Sequence, residues 1–574
     1  MLERIISVLV LLVVWSYALP PGVEKAIKHS GIPKNDLSIY IKEAGSGGRV
    51  VASLNDSVTR KPASVIKVLT TYAAVLELGF SYRWPTQFYT TGHIKNGVLH
   101  GDLVVKGFGD PTLDWEDVEQ IATQIRQKGI RTITGNIVID RSYFKVGTQN
   151  SSRFDEHPHS PYNAMPDAMM FNERISTICV TPNQNSVTKK YPDNSYVIHN
   201  QLQRVNKPCK GRYSWPQVKV DDSKAVPEVW LKGKISNRCG NRNICKVVTK
   251  PYKSFYYALK DALKTAGVTV KGTMRLQKVP SSAQILFTHY SEPLEKIIAK
   301  TAKKSNNLYA RHLLLFLGAK RYGAPATLKK GRKAVMEILR QHHALGPGKL
   351  EIDNGSGLSR TAKLNAKILA ALLDDAYERY GMRWMRTLSI AGVDGTIKRR
   401  FRGTVVKNRA WMKTGTLKRV KNIAGYVKSR EGRYYTTVII VNTKKGRWKA
   451  AKLEDDIIQW LVGYKGRGPK ASSPSAPTHI TITPTSAATR VEEGNMMYYV
   501  QAVRLTTPPS ERFLSHIASF GLPYTVQQEG GYKVLIGPYA KESEARDILA
   551  RVRKDINAHA FLVHRPKAES PSVY

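Results

Sequence analysis

An α/β chain of several domains is what the sequence predicts: helices around an antiparallel sheet, a strand-rich middle, and a small β-α-β-β-α-β domain at the C-terminal end. Three observations predict it. Apolar runs at helical spacing follow Lys61 and dominate again from Glu292, and they flank three consecutive strand patterns between Ala410 and Asn442. From about Arg83 the character changes to short strands and turns in alternation. Gly466 to Asn495 is rich in Pro, Ser, Thr and Ala, has no apolar period, and cuts off a last short region with its own pattern. At 574 residues and 42% hydrophobic content, the chain has room for large cores.

Residues 1–18 have the form of a secretory signal. Arg4 supplies the leading charge beside Glu3, Ile5 to Trp15 is apolar, and Ser16-Tyr17-Ala18 is a small-x-small cleavage site. The apolar run is short for a bilayer span, which leaves an uncleaved N-terminal anchor as the alternative. No cysteine follows it to take a lipid. Leu37–Ile41 and Val50–Leu54 then read as strands around a turn, Gly45 to Gly48, that lacks the lysine of a phosphate loop. Val68 to Leu78 is a buried helix stopped by Gly79.

In the middle region, strands are expected at Leu103–Lys106 and Gly135–Asp140, with a helix over Trp115–Lys128 between them. Tyr196–His199, Val218–Val220 and Val229–Lys232 follow as strands, and Ser254–Ala266 as a helix closed by Gly267. Leu294–Lys303, Leu308–Leu317, Lys330–His343 and Lys363–Tyr380 are further helices. The strands Ala410–Thr416, Asn422–Val427 and Tyr434–Asn442 come next, and an amphipathic helix, Ala450–Val462, closes the region. After the Pro/Ser/Thr segment come strand Tyr498–Arg504, helix Ser510–Phe520, strands Tyr524–Gln527 and Tyr532–Ile536, helix Lys541–Lys554 and strand Ala560–His564.

Cys179, Cys209, Cys239 and Cys245 form an even, clustered set in an exported chain, which predicts two local disulfides with three pairings open. Zinc would need a tighter ligand spacing: there is no C-x-x-C pair, and His199 is the lone histidine among the cysteines. His157-Pro158-His159 and His342-His343 have no third ligand at suitable spacing and read as loop or surface histidines, so no metal and no cofactor is expected. The net charge is +46, from 90 basic and 44 acidic residues, and implies an anionic partner. Export removes nucleic acid from reach and leaves cell-wall polymer or an anionic membrane surface; a diffuse solvated surface is the alternative and fits scattered lysines such as Lys303, Lys304, Lys329 and Lys330.

The chemistry starts at Lys61-Pro62-Ala63-Ser64-Val65-Ile66-Lys67. Three residues apart on a helix, the Ser64 hydroxyl and the Lys67 amine share a face. A serine is a weak nucleophile until a base takes its proton, and a lysine is that base only when burial or a neighbouring cation lowers its pKa. In so lysine-rich a chain an isolated S-x-x-K reads first as a helix cap and a solvent-seeking lysine. Two further motifs reverse that. Ser305-Asn306-Asn307 lies between two helices, and Lys413-Thr414-Gly415 lies on a strand whose partner follows at once.

S-x-x-K, S-x-N and K-T-G, in this order and in these settings, form the signature of penicillin-binding proteins and serine β-lactamases. Far more chain separates Ser64 from Ser305 than a compact transpeptidase core needs, so a large insertion lies between them. In this the chain resembles the class C low-molecular-mass penicillin-binding proteins, the D-alanyl-D-alanine carboxypeptidase/endopeptidase family. Gly101-Asp102-Leu103 with Gly109-Asp110-Pro111, Asn354-Gly355-Ser356-Gly357-Leu358-Ser359-Arg360 and Ala391-Gly392-Val393-Asp394-Gly395-Thr396 resemble it too, over about residues 25–463. Asn306 stands where related enzymes often have Asp. The domains implied are a signal at 1–18, a discontinuous transpeptidase-like catalytic domain at 19–82 and 285–463, a four-cysteine insert at 83–284, a linker at 464–496, a C-terminal domain at 497–566 and a tail at 567–574.

The resemblance implies the roles. Ser64 is acylated by the carbonyl between two D-alanines, and Lys67 takes its proton. Ser305 relays a proton to the leaving amine, and Asn307 bonds the substrate amide and Lys67. Lys413 keeps Lys67 neutral and attracts the substrate carboxylate, which Thr414 also binds. The Thr414-Gly415-Thr416 stretch lines the substrate, with the N–H groups of Ser64 and Thr416 as the oxyanion hole. Asp155 matches poorly to the insert carboxylate the family uses and reads as a surface acid. Substrate is peptidoglycan, and β-lactams are covalent inhibitors. A β-lactamase or a silent wall-binding scaffold are the competing functions.

Residues 497–566 resemble a SPOR domain through Tyr498-Tyr499-Val500-Gln501 and Tyr532-Lys533-Val534-Leu535-Ile536-Gly537-Pro538-Tyr539. That family binds glycan strands stripped of stem peptides, which implies glycan contacts at Gln501 and Tyr532 and a periplasmic protein enriched at the division septum. By strand alternation Gln501 shares a face with Tyr499 and Val503.

Overall fold

The computed structural model describes residues 19–147, 149, 151–152, 154–466, 496–505, 509, 514, 517, 524–528, 532–539, 542–556 and 560–566. They form two compact units, one ending before and one beginning after about residue 478. The signal expected at 1–18 and most of the linker lie outside the described residues. Among the described residues no helix is long and apolar enough to cross a membrane.

A six-stranded antiparallel sheet organises the first unit. Its order is Ser389–Ile390, Ala410–Leu417, Val420–Lys428, Tyr434–Asn442, Leu37–Glu43, Val50–Leu54. The first strand of this sheet in chain order therefore docks in register along the last of the sheet, from Leu37 opposite Val441 to Glu43 opposite Tyr435. Tyr434–Asn442 is buried along nearly its whole length because both sheet faces are covered. Tyr434, Val438 and Ile440 pack into one core with the helices Lys67–Leu78, Leu294–Lys303, Asn307–Tyr322, Leu328–Gln341 and Ala366–Met385. Tyr435, Ile439 and Val441 pack into the other, under Pro21–Ser30 and Arg447–Gly463.

Helix ends differ from the sequence expectation where a cap decides them. Asn365 accepts from the Ile368 N–H, so the helix expected from Lys363 begins at Ala366 and runs through a kink at Gly381 to Met385. The helix that follows Ser64 starts at Lys67, and Ser64 lies in a 3₁₀ turn, Ala63–Ile66, that leads into it.

Pro85–Thr90 pairs antiparallel with Gln284–Tyr290, so the chain enters and leaves the inserted region on neighbouring strands. Above them, the helices Trp115–Gln127 and Pro251–Thr265 share a core with Phe88, Val105 and Ile139. A smaller module follows, with Val197–Val205, Glu228–Ser236 and Gln217–Asp221 in one sheet and Ser186–Lys189, Ser176–Thr181 and Arg242–Lys246 in another. One disulfide, Cys209–Cys239, staples it.

Two disulfides were expected, and here the structure differs: Cys179 and Cys245 are free thiols. They lie on neighbouring strands, but Cys179 faces Asn243 while Cys245 faces Thr177. Such diagonal neighbours sit farther apart than the roughly 4 Å between Cβ atoms that a bridge requires.

The second unit is a four-stranded antiparallel sheet in the order Tyr524–Gln528, Tyr532–Tyr539, Met496–Leu505, Phe561–Pro566, with the helix Glu542–Asp555. Val500, Ile517, Val534, Ile536 and Val552 form its core. Of the expected helix Ser510–Phe520, only Leu514 and Ile517 are among the described residues. A bulge between Gln501 and Val503 breaks the alternation, so Val503 turns towards the core and does not share a face with Gln501. Gln501 is buried at 8% exposure on a central strand, and Tyr532 is half-buried at a strand end.

Candidate active site

All three motifs meet at one place. Lys67 is fully buried, and its Nζ lies 2.8 Å from Ser64 Oγ, 2.7 Å from Asn307 Oδ1 and 2.5 Å from the Ser356 carbonyl oxygen. A neutral amine has two N–H donors and one lone pair. With the donors on Asn307 and Ser356, the lone pair is left for the Ser64 hydroxyl to donate to. Burial lowers the Lys67 pKa well below the ordinary lysine value, and the charges of Lys413 and Arg311 lower it further. Arg311 is held in place by donating to the Ala164 carbonyl of the inserted region.

Lys413 is also fully buried and donates to Ser305 Oγ at 3.0 Å and to the Thr414 carbonyl at 2.7 Å. Burial, then Lys421, pushes its pKa down to about 7. Ser305 sits in the turn between Leu294–Lys303 and Asn307–Tyr322 with a left-handed φ of 55°. Asn307 donates from Nδ2 to the Tyr162 carbonyl at 2.9 Å, which fixes its amide so that Oδ1 faces Lys67. Thr414 Oγ1 donates to Thr396 Oγ1 at 2.8 Å.

The turn that carries Ser64 is clamped on two sides. Asn422, buried opposite Gly415, donates to the carbonyls of Pro62 at 2.8 Å and Lys61 at 3.0 Å and accepts from the Val441 N–H at 2.9 Å. Gly415 runs so close that a Cβ there would lie 3.0 Å from the Ser64 nitrogen. From the other side, Gly357 has φ +78°, and a Cβ on it would meet the Ala63 carbonyl oxygen at 2.0 Å. Only glycine fits both approaches. Ala63 itself is left-handed, at φ 47°, immediately before Ser64.

Ser389–Ile390 pairs only with Met412 and Trp411, so no strand covers the edge of Lys413–Leu417 on that side among the described residues. A cleft of about 770 Å³ opens there, and Ser64, Asn307, Thr416, Lys418 and Arg360 line it. An extended peptide can lie along such an edge.

From the sequence Asp155 reads as a surface acid. The structure places it in the wall of this cleft. Its carboxylate accepts from Tyr162 Oη at 2.9 Å, Asn163 Nδ2 at 2.9 Å and the His157 N–H at 3.1 Å. Slight burial works against ionisation, but these bonds hold its pKa below the ordinary value. The Ser356 carbonyl, Asn422, Arg311 and Tyr162 were missed. The repeated small residues at 354–357 and the asparagine inside a β-branched strand were the available signals.

A family model described as "D-Ala-D-Ala carboxypeptidase 3 (S13) family" matches residues 21–463, and a SPOR domain model matches 497–562. The chain is 28% identical over 428 residues to D-alanyl-D-alanine carboxypeptidase DacB of Haemophilus influenzae, covering 72% of this chain and 86% of that one. It is 27% identical over 421 residues to a D-alanyl-D-alanine carboxypeptidase of Actinomadura sp., covering 71% and 77%. The crystal structure of penicillin binding protein 4 from Haemophilus influenzae superposes with a TM-score of 0.65 at 25% identity, over 77% of this chain and 99% of the other.

Proposed function

The chain belongs to the D-Ala-D-Ala carboxypeptidase 3 (S13) family and carries a SPOR domain, and from that premise we propose a serine peptidase of peptidoglycan that works through an acyl-enzyme on Ser64. The observation that supports it most is the fully buried Lys67 amine 2.8 Å from Ser64 Oγ, with acceptors on its other side.

A stem peptide ending in D-Ala-D-Ala lies along the open edge at Lys413–Leu417. Its terminal carboxylate meets Thr414 and protonated Lys413. Ser64 Oγ attacks the penultimate carbonyl as its proton passes to Lys67 Nζ. The N–H groups of Ser64 and Thr416 receive the developing oxyanion. Ser305, bonded to Lys413, relays the proton held by Lys67 to the departing amine, so the C–N bond breaks and Lys67 is neutral again. Water, activated by Lys67, then releases the acyl group and regenerates the serine.

The same chemistry cleaves a D-Ala cross-link, in which only the leaving group is larger. The cleft of about 770 Å³, which continues past Thr416 to Lys418 and Arg447, supports that second activity. Asp155, on the cleft wall and ionised, suits an ammonium of the stem peptide. The net charge of +46 suits an anionic polymer. β-lactams, which mimic the scissile bond, acylate the same serine. The SPOR domain anchors the enzyme on glycan strands lacking stem peptides, with Gln501 and Tyr532 as contacts, and enriches it at the septum of the periplasm.

Digestion of purified peptidoglycan followed by mass analysis tests this. Release of terminal D-alanine and conversion of cross-linked dimers to monomers are expected, and Ser64→Ala should do neither. Persistent dimers beside released D-alanine would remove the endopeptidase activity. No release of D-alanine would overturn the reading.

A further inference from the structure

The inserted region reaches the catalytic turn at one point that the mechanism above does not use. Asn172, Glu173 and Arg174 are three consecutive non-glycine residues in the left-handed region, at φ 46°, 51° and 59°. That conformation is disfavoured for each of them and persists only where the surroundings impose it. Here the Asn172 N–H donates to the Leu113 carbonyl at 2.8 Å and Arg174 Nη1 to the Met165 carbonyl at 2.7 Å. Between these two anchors the Glu173 side chain projects onto the S-x-N turn.

Its carboxylate takes three partners there. Asn306 Nδ2 donates to Glu173 Oε2 at 2.7 Å, Tyr309 Oη donates to Oε1 at 3.2 Å, and Lys300 Nζ pairs with Oε1 at 2.5 Å. Asn306 is doubly engaged, because its Oδ1 also accepts the Tyr309 N–H at 3.1 Å and caps the helix Asn307–Tyr322. Asn306 lies between Ser305, which is left-handed and bonded to Lys413, and Asn307, which is bonded to Lys67.

We infer that Glu173 is a positioning residue for this turn: by holding Asn306 it sets where Ser305 meets Lys413 and where Asn307 meets Lys67, and it is why residue 306 is an amide and not an acid. As a helix cap alone, aspartate serves as well as asparagine and suits the helix dipole better. Beside Glu173 it would set two carboxylates in contact. The inference rests on the reading that Ser305 and Asn307 act in catalysis.

The test is a donor–acceptor reversal in the full chain. Asn306→Asp, Glu173→Gln and the double variant are compared with wild type for the second-order rate of acylation by a fluorescent penicillin, across pH, and for Tm. Asn306→Asp should lose about tenfold or more in rate, as expected for a shifted catalytic turn. Its deficit should shrink as pH falls, because a proton shared by the two carboxylates removes the repulsion. Glu173→Gln alone should lose a few-fold, since the amide no longer offers a charged acceptor. In the double variant the new amide at position 173 donates to the new carboxylate at position 306, and the rate should return to within about threefold of wild type.

Asn306→Asp acylating at the wild-type rate, as capping alone predicts, overturns the inference. So does a double variant no faster than Asn306→Asp. The contact itself is read in Tm, which should fall in Asn306→Asp and recover in the double variant whatever the chemistry. If wild type is not acylated at Ser64, the functional reading fails while the Tm pattern still decides the Glu173–Asn306 contact. Should Asn306→Asp not fold, Glu173→Ala replaces it, with the rate and its pH profile expected to change together.

Discussion

Asn422 is the most informative residue to change, because its amide bonds the backbone of the turn that carries Ser64 and not Ser64 or Lys67 themselves. Asn422→Ala removes the two bonds to the Pro62 and Lys61 carbonyls and the one from the Val441 N–H. The Lys61 carbonyl keeps a second partner in Asn442 Nδ2 at 3.3 Å; the Pro62 carbonyl keeps only the long bond from the Val65 N–H at 3.4 Å, and the Val441 N–H loses its side-chain partner. At about 1–3 kcal/mol for each such buried group, the loss is about 3 kcal/mol. For a unit of this size that is a fall in Tm of roughly 3 °C. The kinetic effect should be larger in proportion. With its clamp gone the 3₁₀ turn can drift, and a misplacement of about 1 Å is worth on the order of 100-fold in rate. The assay is acylation by a fluorescent penicillin beside a thermal melt. Asn442→Ala, which touches the same segment from a half-exposed position, should cost no more than about 1 kcal/mol and little rate. Asn422→Ala acylating as fast as wild type would show that the Ser64 turn holds itself, and the argument from the clamp would fail.

Three other outcomes follow from the same geometry. Lys67→Ala should slow acylation by about 10²–10⁴-fold, the usual worth of a general base, and a wild-type rate would move the base elsewhere. The pH profile of kcat/KM for a peptide ending in D-Ala-D-Ala should fall on both sides. On the acid side Lys67 becomes protonated and cannot take the proton. On the alkaline side Lys413, with its pKa pushed down to about 7, loses the charge that attracts the carboxylate. A substrate amidated at that carboxylate should lack the alkaline limb, and identical limbs for both substrates would contradict the role given to Lys413. Denatured, unreduced mature protein should titrate two thiols, from Cys179 and Cys245, with Cys209 and Cys239 joined. No thiols would mean that the second bridge forms after all, and four would mean that neither does.

Much of the site could be read from the sequence because its side chains come in short motifs on regular elements. Ser64 and Lys67 lie three apart at the start of an apolar helix, Lys413 and Thr414 stand on a strand whose partner follows at once, and helix and strand periods place each motif. The central sheet was legible for the same reason, although the docking of Leu37–Glu43 beside Tyr434–Asn442 joins the two ends of the domain and only the strands themselves could be foreseen.

What could not be read has physical causes. The Ser356 carbonyl is a backbone atom, and any residue supplies one. Asn422 looks like an ordinary strand residue until the turn it clamps is known. Asp155 lies in a loop without period, where neither spacing nor burial marks it. The two free cysteines depend on a register offset of two residues between strands, which no count of cysteines reveals. The bulge beside Gln501 likewise turns Val503 inward against simple alternation.

The central claim is that Ser64 forms a covalent acyl-enzyme with Lys67 as its base. Its most direct test is the intact mass of the full chain after incubation with a penicillin, followed by peptide mapping of the adduct. One added penicillin per chain is expected, carried on the peptide containing Ser64, with no adduct on a Ser64→Ala variant of unchanged melting temperature. An adduct mapped to another residue, or one that persists in Ser64→Ala, would contradict it.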